Sequence, residues 1–334
     1  MKLSWWFAIA AVCCCVLTAI TLKILIPKLK SHKMGQKILD IGPRWHKSKE
    51  GTPTMGGVSF VLSAAVVCLA CYLVLLFTGG DTENPVPALL TFGYALLCAA
   101  IGFIDDYTKF IKKRNEGLTA PQKYALQLAA AGLYLFALRM FDFIDTRLYL
   151  PYFDQTVELG IVYYLIALLL LTGMSNAVNL TDGIDGLAGS VTMVVGAFFG
   201  FVSLLMQNAG MTVLSGALLG GCLGFLFYNF HPARVFMGDT GSLFLGGMVA
   251  GLAFLMGNPL IMLVCGLVYV AETASVILQV VYFKLTHGKR LFKMSPIHHH
   301  FEKCGWSEVK IVAVFTLCTL VFCVAAYFGC GITV

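Results

Sequence analysis

The chain has 334 residues, of which 59% are hydrophobic and only 12% are charged, and its formal net charge is +6. Soluble domains carry about 25% charged residues, so this composition excludes an ordinary soluble protein. Long apolar runs occur without the short alternating segments of a membrane β-barrel. Because lipid cannot satisfy an open backbone, the sequence predicts an all-α integral membrane protein, with residues 1–334 forming a single polytopic domain.

Ten apolar segments are each close to the ~20 residues that a helix needs to cross a bilayer. The predicted spans, in chain order, are 4–26, 56–78, 87–104, 122–140, 159–175, 187–206, 211–228, 242–256, 260–283 and 309–331. Between the fourth and fifth spans, the segment FDFIDTRLYLPYFDQTVE (141–158) is too polar to cross. It predicts a small surface hairpin.

Basic residues are distributed very unevenly between the two sides of these ten spans. Of the 23 lysines and arginines, 20 lie in the loops or span ends of one side. Because basic loops remain in the cytoplasm, both termini are expected on the outer face. The positive charge serves either topogenesis alone or also the attraction of anionic lipids or an anionic substrate.

Five aspartates lie at or near the ends of predicted spans, on the same side as the basic loops. They are Asp105 and Asp106 in IGFIDDYTKF, Asp182 and Asp185 in SNAVNLTDGIDGLAGS, and Asp239 in NFHPARVFMGDTGS. Carboxylates next to apolar helices cost free energy unless they are paired or face a polar cavity. A hard divalent cation such as Mg²⁺ takes oxygen ligands and suits such a cluster. The alternative for Asp185 and Asp239 is helix N-capping, since both precede predicted helices.

Two of these motifs also place glycines and other small residues at the start of a predicted helix. In TDGIDGLAG and FMGDTGS, free backbone N–H groups at a helix N-terminus form a geometry that binds phosphate. Neither stretch matches a Walker or dinucleotide fingerprint. Together with the acidic motifs they favour a phosphorylated substrate, either a charged nucleotide or a lipid phosphate. No nucleic-acid partner is expected.

Three consecutive histidines, His298 to His300, occur in SPIHHHFEKCGW on the same side of the membrane. A zinc site with Cys304 is one interpretation, but consecutive histidines cannot all point at one ion from a regular element. Near neutral pH, histidine can donate to phosphate or take a proton. The run is therefore interpreted as a substrate-binding loop, in which His298 and His299 contact the substrate and His300 is structural.

At these motifs the sequence resembles the phospho-N-acetylmuramoyl-pentapeptide transferases of bacterial peptidoglycan synthesis, a family of polyprenyl-phosphate N-acetylhexosamine-1-phosphate transferases. The resemblance covers essentially the whole chain and includes the ten-span arrangement with outward termini. It rests on six motifs: GTPTMGG (51–57), FIDDYTK (103–109), GLTAPQK (117–123), NLTDGIDGLA (179–188), NFHPARVFMGDTGS (229–242) and SPIHHHFEK (295–303).

The resemblance implies a multi-pass enzyme of the bacterial cell membrane, expected as a homodimer, with its active site on the cytoplasmic face. Its substrates would be UDP-N-acetylmuramoyl-pentapeptide and undecaprenyl phosphate. Its products would be undecaprenyl-diphospho-N-acetylmuramoyl-pentapeptide (lipid I) and UMP, and its cofactor Mg²⁺. The lipid phosphate would attack the β-phosphorus directly. The alternative is that an aspartate attacks first and forms a covalent phosphoryl-enzyme.

The same resemblance implies roles for individual residues. Catalytic roles fall to Asp105, Asp106, Asp239 and His298, with Asp105 a candidate base, and the Mg²⁺ ligands would be Asp239, Asp105 and Asp106. Substrate binding falls to Lys49, Lys109, Lys123, Asn176, Asn179, Asp182, Asp185, Asn229, Phe236 and His299. Phe236 would stack on uracil, while Asp185 and Asn229 would form hydrogen bonds to the nucleotide. The alternative for the three lysines is that they are snorkelling loop residues.

Three other functions are compatible with parts of the sequence. A sister enzyme that transfers N-acetylglucosamine-1-phosphate would share the acidic motifs, although the triple histidine favours the muramoyl enzyme. A transporter would place its charged groups near the bilayer midplane, whereas these lie at span ends. A lipid-binding scaffold without chemistry is the third. Glu272, inside the ninth predicted span, needs a partner and indicates a functional role, an interhelical contact or a helix break.

Overall fold

A computed structural model describes residues 2–31, 49–77, 85–112 and 117–331. These residues form helices α1 Leu3–Ser31, α2 Gly57–Phe77, α3 Val86–Lys112, α4 Ala120–Met140, α5 Ile161–Thr181, α6 Leu187–Leu205, α7 Ala209–Asn229, α8 Gly238–Leu255, α9 Ile261–Cys265, α10 Leu267–Leu285, α11 Ile297–Lys303 and α12 Glu308–Phe328. A hairpin of strands β1 Arg147–Leu150 and β2 Gln155–Glu158 lies between α4 and α5. The architecture is helical, as predicted. Most of the first basic loop, residues 32–48, lies outside the described residues.

Nine helices of the described chain are long and apolar enough to cross a membrane, namely α1, α2, α3, α5, α6, α7, α8, α10 and α12. Nine of the ten predicted spans are thus supported, whereas α4, which forms over Ala120–Met140, is not among these nine helices, and its crossing stays a prediction. Its 21 residues include Gln122, Lys123, Gln127 and Arg139, and these polar side chains lower its hydropathy. The helix was predicted correctly, whereas its apolar character was overestimated.

The predicted surface hairpin is confirmed. Strands β1 and β2 pair antiparallel, with Arg147 opposite Glu158 and Leu150 opposite Gln155. Both strands are only four residues long, and β2 is exposed throughout. The alternating, weakly apolar sequence therefore forms a small ribbon rather than a further span.

Two helices differ from their predicted bounds in a way that matters for the acidic motifs. Helix α3 continues to Lys112, well past residue 104, so Asp105 and Asp106 lie within the helix rather than after it. Helix α8 begins at Gly238, so Asp239 lies in its first turn. The N-caps of α6 and α8 are Gly186 and Met237, and the interpretation of Asp185 and Asp239 as N-caps is therefore wrong.

The predicted ninth span is broken into two helices at a glycine. Gly266 is both the C-cap of α9 and the N-cap of α10. Glu272 lies in the second turn of α10, close to this break, and is fully buried. Both a helix break and an interhelical contact of Glu272 are therefore present, the contact being with His298 of α11.

Small residues allow the helices to approach each other closely. On α7, Gly216, Gly220 and Gly224 face α1, and a Cβ at Gly220 would overlap the Ala11 carbonyl. Such regularly spaced small residues are typical of packed membrane helices, because lipid provides no hydrophobic force between them. Helix α8 is largely buried among α2, α3 and α5. The N-terminus of α8 is therefore within reach of side chains from these neighbouring helices.

Candidate active site

The three aspartates of the central motifs form one cluster at the N-terminus of α8. Asp105, Asp106 and Asp239 each provide a carboxylate oxygen, and these three atoms lie within 4.8 Å of one another. The approach of the two helices depends on Gly102, one turn before Asp105, because a Cβ there would overlap the Asp239 carbonyl. We call these three residues the acidic cluster. The sequence predicted that they would meet, and the structure brings them together.

Asp106 is the most completely bonded member of the acidic cluster. Its Oδ1 accepts a hydrogen bond from the Asp239 amide at 3.1 Å. Its Oδ2 accepts from the Thr240 amide at 2.9 Å and from the Thr240 hydroxyl at 2.7 Å. The two amides belong to the first turn of α8, where backbone N–H groups have no partner within the helix. A carboxylate from α3 therefore stabilises the N-terminus of α8, where negative charge is favourable.

Two lysines bridge the carboxylates of the acidic cluster. Lys109 Nζ lies 2.7 Å from Asp105 Oδ2 and 2.8 Å from Asp239 Oδ2. Lys123 Nζ reaches the same Asp239 oxygen at 2.9 Å. Both lysines were predicted to bind substrate, and both are directed into the cluster rather than along the membrane surface. Their snorkelling alternative is therefore not supported.

The segment GLTAPQK places Lys123 by means of a capped helix. Thr119 is the N-cap of α4, and its side chain and that of Gln122 form a reciprocal capping box. The preceding Leu118 amide donates to Asp105 Oδ1 at 2.7 Å. Because one end of the segment is bonded to Asp105, Lys123 in the first turn of α4 reaches Asp239.

The polar residues of α5 line the same region. Asn179 Nδ2 donates to Asp239 Oδ1 at 2.7 Å and to Ser242 Oγ at 2.8 Å. One turn earlier, the Asn176 amide pairs reciprocally with the amide of Gln127 on α4. Asn179 therefore contacts the acidic cluster directly, whereas Asn176 supports it through a neighbouring helix.

The acidic cluster has a donor set that fits Mg²⁺. Hard divalent cations prefer carboxylate oxygens, and three carboxylates converge here. Asp239 and Asp105 currently share Lys109 as their cation, whereas both Asp106 oxygens accept hydrogen bonds from α8. Asp239 and Asp105 are therefore the members best placed to hold a cation, with Asp106 the most constrained.

Asp182 is the C-cap of α5, three residues before Asp185. Burial, followed by repulsion from the Asp239, Asp106 and Asp185 carboxylates, raises the pKa of Asp182 well above its usual value. A carboxyl group in this environment holds its proton more tightly than one in water. Near an anionic substrate, a neutral Asp182 would add no repulsion.

A second charged cluster forms around Lys49. Lys49 Nζ lies 2.7 Å from Asp185 Oδ1 and 2.6 Å from Glu308 Oε2. Asp185 Oδ2 also accepts from the Ala233 amide at 2.9 Å and lies 3.1 Å from His231 Nδ1. We call Lys49, Asp185, His231 and Glu308 the Lys49 cluster. It joins four segments that are far apart in the chain, two of them within the NLTDGIDGLA and NFHPARVFMGDTGS motifs.

Asn229 connects two of these motifs through their backbones. Its Oδ1 accepts from the Gly186 amide at 3.0 Å, and its Nδ2 donates to the Val235 carbonyl at 2.9 Å. Asn229 is buried, so its principal contacts are structural, and its contact with a nucleotide stays a prediction. Phe236 is only partly buried, and its backbone pairs with Pro53 and Gly56 of the GTPTMGG motif. These two backbone hydrogen bonds to the GTPTMGG motif therefore fix the position of Phe236.

The triple histidine lies on the seven-residue helix α11 rather than on a loop, which corrects the sequence interpretation. His298 and His299 are buried, and their contact with a substrate stays a prediction. His298 Nδ1 lies 3.0 Å from Glu272 Oε2. His300 Nδ1 accepts from the Lys293 amide at 3.1 Å, and its ring packs against Phe292 and Phe301. Within the described residues, the groups that could hold a metal include none of these histidines.

Several residues of these clusters were missed by sequence reasoning. Thr240 directly follows Asp239 and His231 lies two residues after Asn229, so their polarity next to predicted site residues was the available signal. Glu308 gave no such signal, because an acidic residue at the start of a helix is common. Its role follows only from the position of α12 against the TDGIDG segment.

Two family models match parts of this chain. The family model described as Glycosyl transferase family 4 matches residues 88–257, which include the acidic cluster. A second model, described as Phospho-N-acetylmuramoyl-pentapeptide-transferase signature 1, matches residues 49–61, which begin at Lys49. The fold and site thus define a multi-pass membrane transferase of the first family.

Close relatives narrow this class. A protein of Clostridium perfringens (strain SM101 / Type A) is 46% identical over 305 residues, covering 91% of this chain and 90% of the relative. Relatives from Caldicellulosiruptor bescii and Staphylococcus carnosus are 43% and 42% identical, covering 93% and 94% of this chain and 93% and 96% of their own. All three are named phospho-N-acetylmuramoyl-pentapeptide-transferase. The chain belongs to the phospho-N-acetylmuramoyl-pentapeptide transferase family, and it is a peptidoglycan-synthesis enzyme of the bacterial cell membrane.

Proposed function

We propose that this enzyme transfers phospho-N-acetylmuramoyl-pentapeptide from its UDP conjugate to undecaprenyl phosphate, giving lipid I and UMP. An oxygen of the lipid phosphate attacks the β-phosphorus and forms a new P–O bond. The bond from the β-phosphorus to the bridging oxygen breaks, and UMP leaves with that oxygen and its electron pair. The observation that carries the proposal is the acidic cluster with Lys109 and Lys123 within 3 Å of Asp239.

Both substrates are anionic, so the site must supply positive charge. Lys109 and Lys123 hold that charge in place through Asp239 and can each donate to a phosphate oxygen. Mg²⁺, held by Asp239 and Asp105 with Asp106, would neutralise the diphosphate and the departing UMP. The lysines and the aspartates thus divide substrate binding and cation binding between them.

Direct attack is favoured over a covalent phosphoryl-enzyme. Asp105 accepts from the Leu118 amide and pairs with Lys109, and Asp239 accepts from Asn179 and both lysines. Carboxylate oxygens that are already bonded to donors are weak nucleophiles, since attack would break those bonds. The lipid phosphate is largely ionised near neutral pH, its second pKa being about 6, so Asp105 would act as a base only for a residual proton.

The nucleotide end of the substrate is assigned to the Lys49 cluster. Asp185 would accept from uracil, Phe236 would stack on it, and Asn229 would hold the two loops in register. Asn176, Asn179 and Asp182 would line the cavity between this cluster and the acidic cluster. His298 and His299 would contact the phosphates from α11.

The orientation in the membrane belongs to the same proposal. The basic loops favour a cytoplasmic active site and outward termini, since positive residues remain inside. The UDP conjugate would then arrive from the cytoplasm and the lipid phosphate from the membrane. A homodimer is proposed from the family resemblance alone.

The decisive experiment is a coupled assay of UMP release and lipid product with purified enzyme in lipid nanodiscs. We expect turnover only when UDP-N-acetylmuramoyl-pentapeptide, undecaprenyl phosphate and Mg²⁺ are all present, and its loss on chelation. Asp239→Asn should abolish turnover without unfolding the protein, while Asp142→Asn, in the exposed turn after α4, should leave turnover unchanged. Product from UDP-N-acetylglucosamine alone, or turnover of Asp239→Asn near the unsubstituted rate, would overturn the proposal.

A further inference from the structure

Glu272 has no role in the proposed reaction, yet it is buried against a residue that has one. His298 Nδ1 lies 3.0 Å from Glu272 Oε2, and the His298 amide lies 3.4 Å from the same oxygen. Neither side chain has any exposed surface. Burying a carboxylate costs free energy unless the group is paired and hydrogen-bonded. The His298 imidazole is the side chain that provides this partner.

One nitrogen of the His298 ring is left over. Within the described residues, His298 Nε2 and Glu272 Oε1 are buried and have no hydrogen-bond partner. Buried polar side-chain atoms nearly always have one, so an unpaired ring nitrogen indicates a partner that lies outside the described residues. Nε2 lies against Gly183, where a Cβ would overlap it. Gly183 is in the TDGIDG segment, between Asp182 and Asp185, so Nε2 packs against the segment that carries these two predicted site residues.

The carboxylate determines which nitrogen is free. An ionised carboxylate only accepts hydrogen bonds, so the contact with Glu272 places a proton on Nδ1. On the side of Gly183, Nε2 then carries a lone pair, or a second proton when the ring is charged. Carboxylates behind functional histidines fix the tautomer and the ring plane in this way.

We infer that Glu272 is a positioning residue for the transfer: it accepts a hydrogen bond from the Nδ1–H of His298 and holds Nε2 toward the substrate phosphates beside Gly183. This inference rests on the proposed function, because it assigns His298 to the phosphates of that reaction. Glu272 itself touches no substrate. It acts through one imidazole, from a helix that begins at the Gly266 break.

The kinetic test compares two substitutions at Glu272 with a neighbouring control. Glu272→Leu removes the acceptor and should lower kcat/KM about 100-fold, the scale of a misplaced catalytic group. Glu272→Gln retains a side-chain oxygen acceptor and should lose less than about tenfold. Thr273→Val removes the next hydroxyl on α10, which is buried without a partner in the described residues. It should leave kcat/KM unchanged, and equal losses in all three variants would overturn the inference.

A double-mutant cycle separates positioning from general stability. If Glu272 acts through His298, Glu272→Leu should cause no further loss of kcat/KM in the His298→Ala background. Multiplying losses would mean that the two residues act independently and would overturn the inference. A lower Tm of Glu272→Leu, with an unchanged kcat/KM per folded enzyme, would also overturn the inference.

The tautomer can also be observed without turnover. In protein labelled with ¹⁵N-histidine, one ring should show an Nδ1–H signature that is absent from His298→Ala and is changed in Glu272→Leu. An unchanged signature in Glu272→Leu would overturn the inference, even if the unsubstituted enzyme catalyses the proposed transfer. If the unsubstituted enzyme releases no UMP, the proposed function fails, while the NMR result still reports on the Glu272–His298 contact.

Discussion

The Asp106 carboxylate, on α3, accepts a hydrogen bond from the backbone amide of Asp239, on α8, at 3.1 Å. One predicted site residue therefore fixes the position of another. The contact is possible because Gly238 has φ +71°, and a Cβ there would lie 2.6 Å from Asp106 Oδ2. The geometry of the acidic cluster is consequently coupled to the stability of the N-terminus of α8.

This coupling predicts that Asp106→Asn damages both stability and activity. The substitution removes a buried negative charge from the start of α8 and turns an amide group toward the Thr240 donors. We expect a loss of about 2 kcal/mol or more, the scale of buried hydrogen bonds to a charged group, and near-complete loss of UMP release. Thermal unfolding and the coupled assay measure the two effects.

Thr240→Val is the control variant for Asp106→Asn. It removes the hydroxyl that donates to Asp106 Oδ2 and keeps both backbone hydrogen bonds. Its loss of stability should be smaller, about 1 kcal/mol. Equal stability of Asp106→Asn and the unsubstituted protein would contradict the proposed coupling.

The Lys49 cluster predicts an effect on nucleotide binding rather than on chemistry. Glu308 Oε2 holds Lys49 Nζ at 2.6 Å and the Asp185 amide at 3.0 Å. Glu308→Gln removes the charge that fixes both groups, so we expect the dissociation constant for UMP to rise about tenfold, or about 1.4 kcal/mol. Isothermal titration calorimetry measures this, with kcat expected to change little.

Glu50→Gln is the control for Glu308, because Glu50 is exposed beside Lys49. It should bind UMP as tightly as the unsubstituted enzyme. A UMP affinity of Glu308→Gln equal to that of this control would show that the cluster does not order the nucleotide site.

The raised pKa of Asp182 predicts a pH dependence of stability. The folded protein holds this proton more tightly than the unfolded chain, whose aspartates titrate at about 4. The contribution of Asp182 to the free energy of unfolding is therefore complete below pH about 4 and is lost as pH rises through the raised folded-state pKa. Asp182→Asn cannot titrate and lacks this dependence.

The measurement for Asp182 is the difference in Tm between Asp182→Asn and the unsubstituted protein across a pH series. We expect this difference to shift in favour of Asp182→Asn as the pH rises from 4 toward the alkaline side. A pH-independent difference would show that Asp182 is not held in its neutral form. Asp142→Asn, at an exposed turn, provides the reference series.

Much of the fold could be read from the sequence, because membrane insertion depends on local hydropathy. A run of ~20 apolar residues forms a spanning helix whatever its neighbours are, and the lack of such a run at 141–158 predicted the hairpin. Helix ends were less predictable. Helix α3 extends beyond its apolar run to Lys112, since charged residues can continue a helix once it leaves the hydrocarbon.

The sequence by itself therefore determined the helical membrane architecture, the family resemblance and the set of aspartates, lysines and histidines that carry the proposed chemistry. Only the tertiary structure decided how they are paired. Lys49 meets Glu308 across 259 residues, and Glu272 meets His298 between two helices. The physical reason is that local hydropathy specifies where helices form. Contacts between them depend on close approaches, such as the one at Gly102, that no single segment contains.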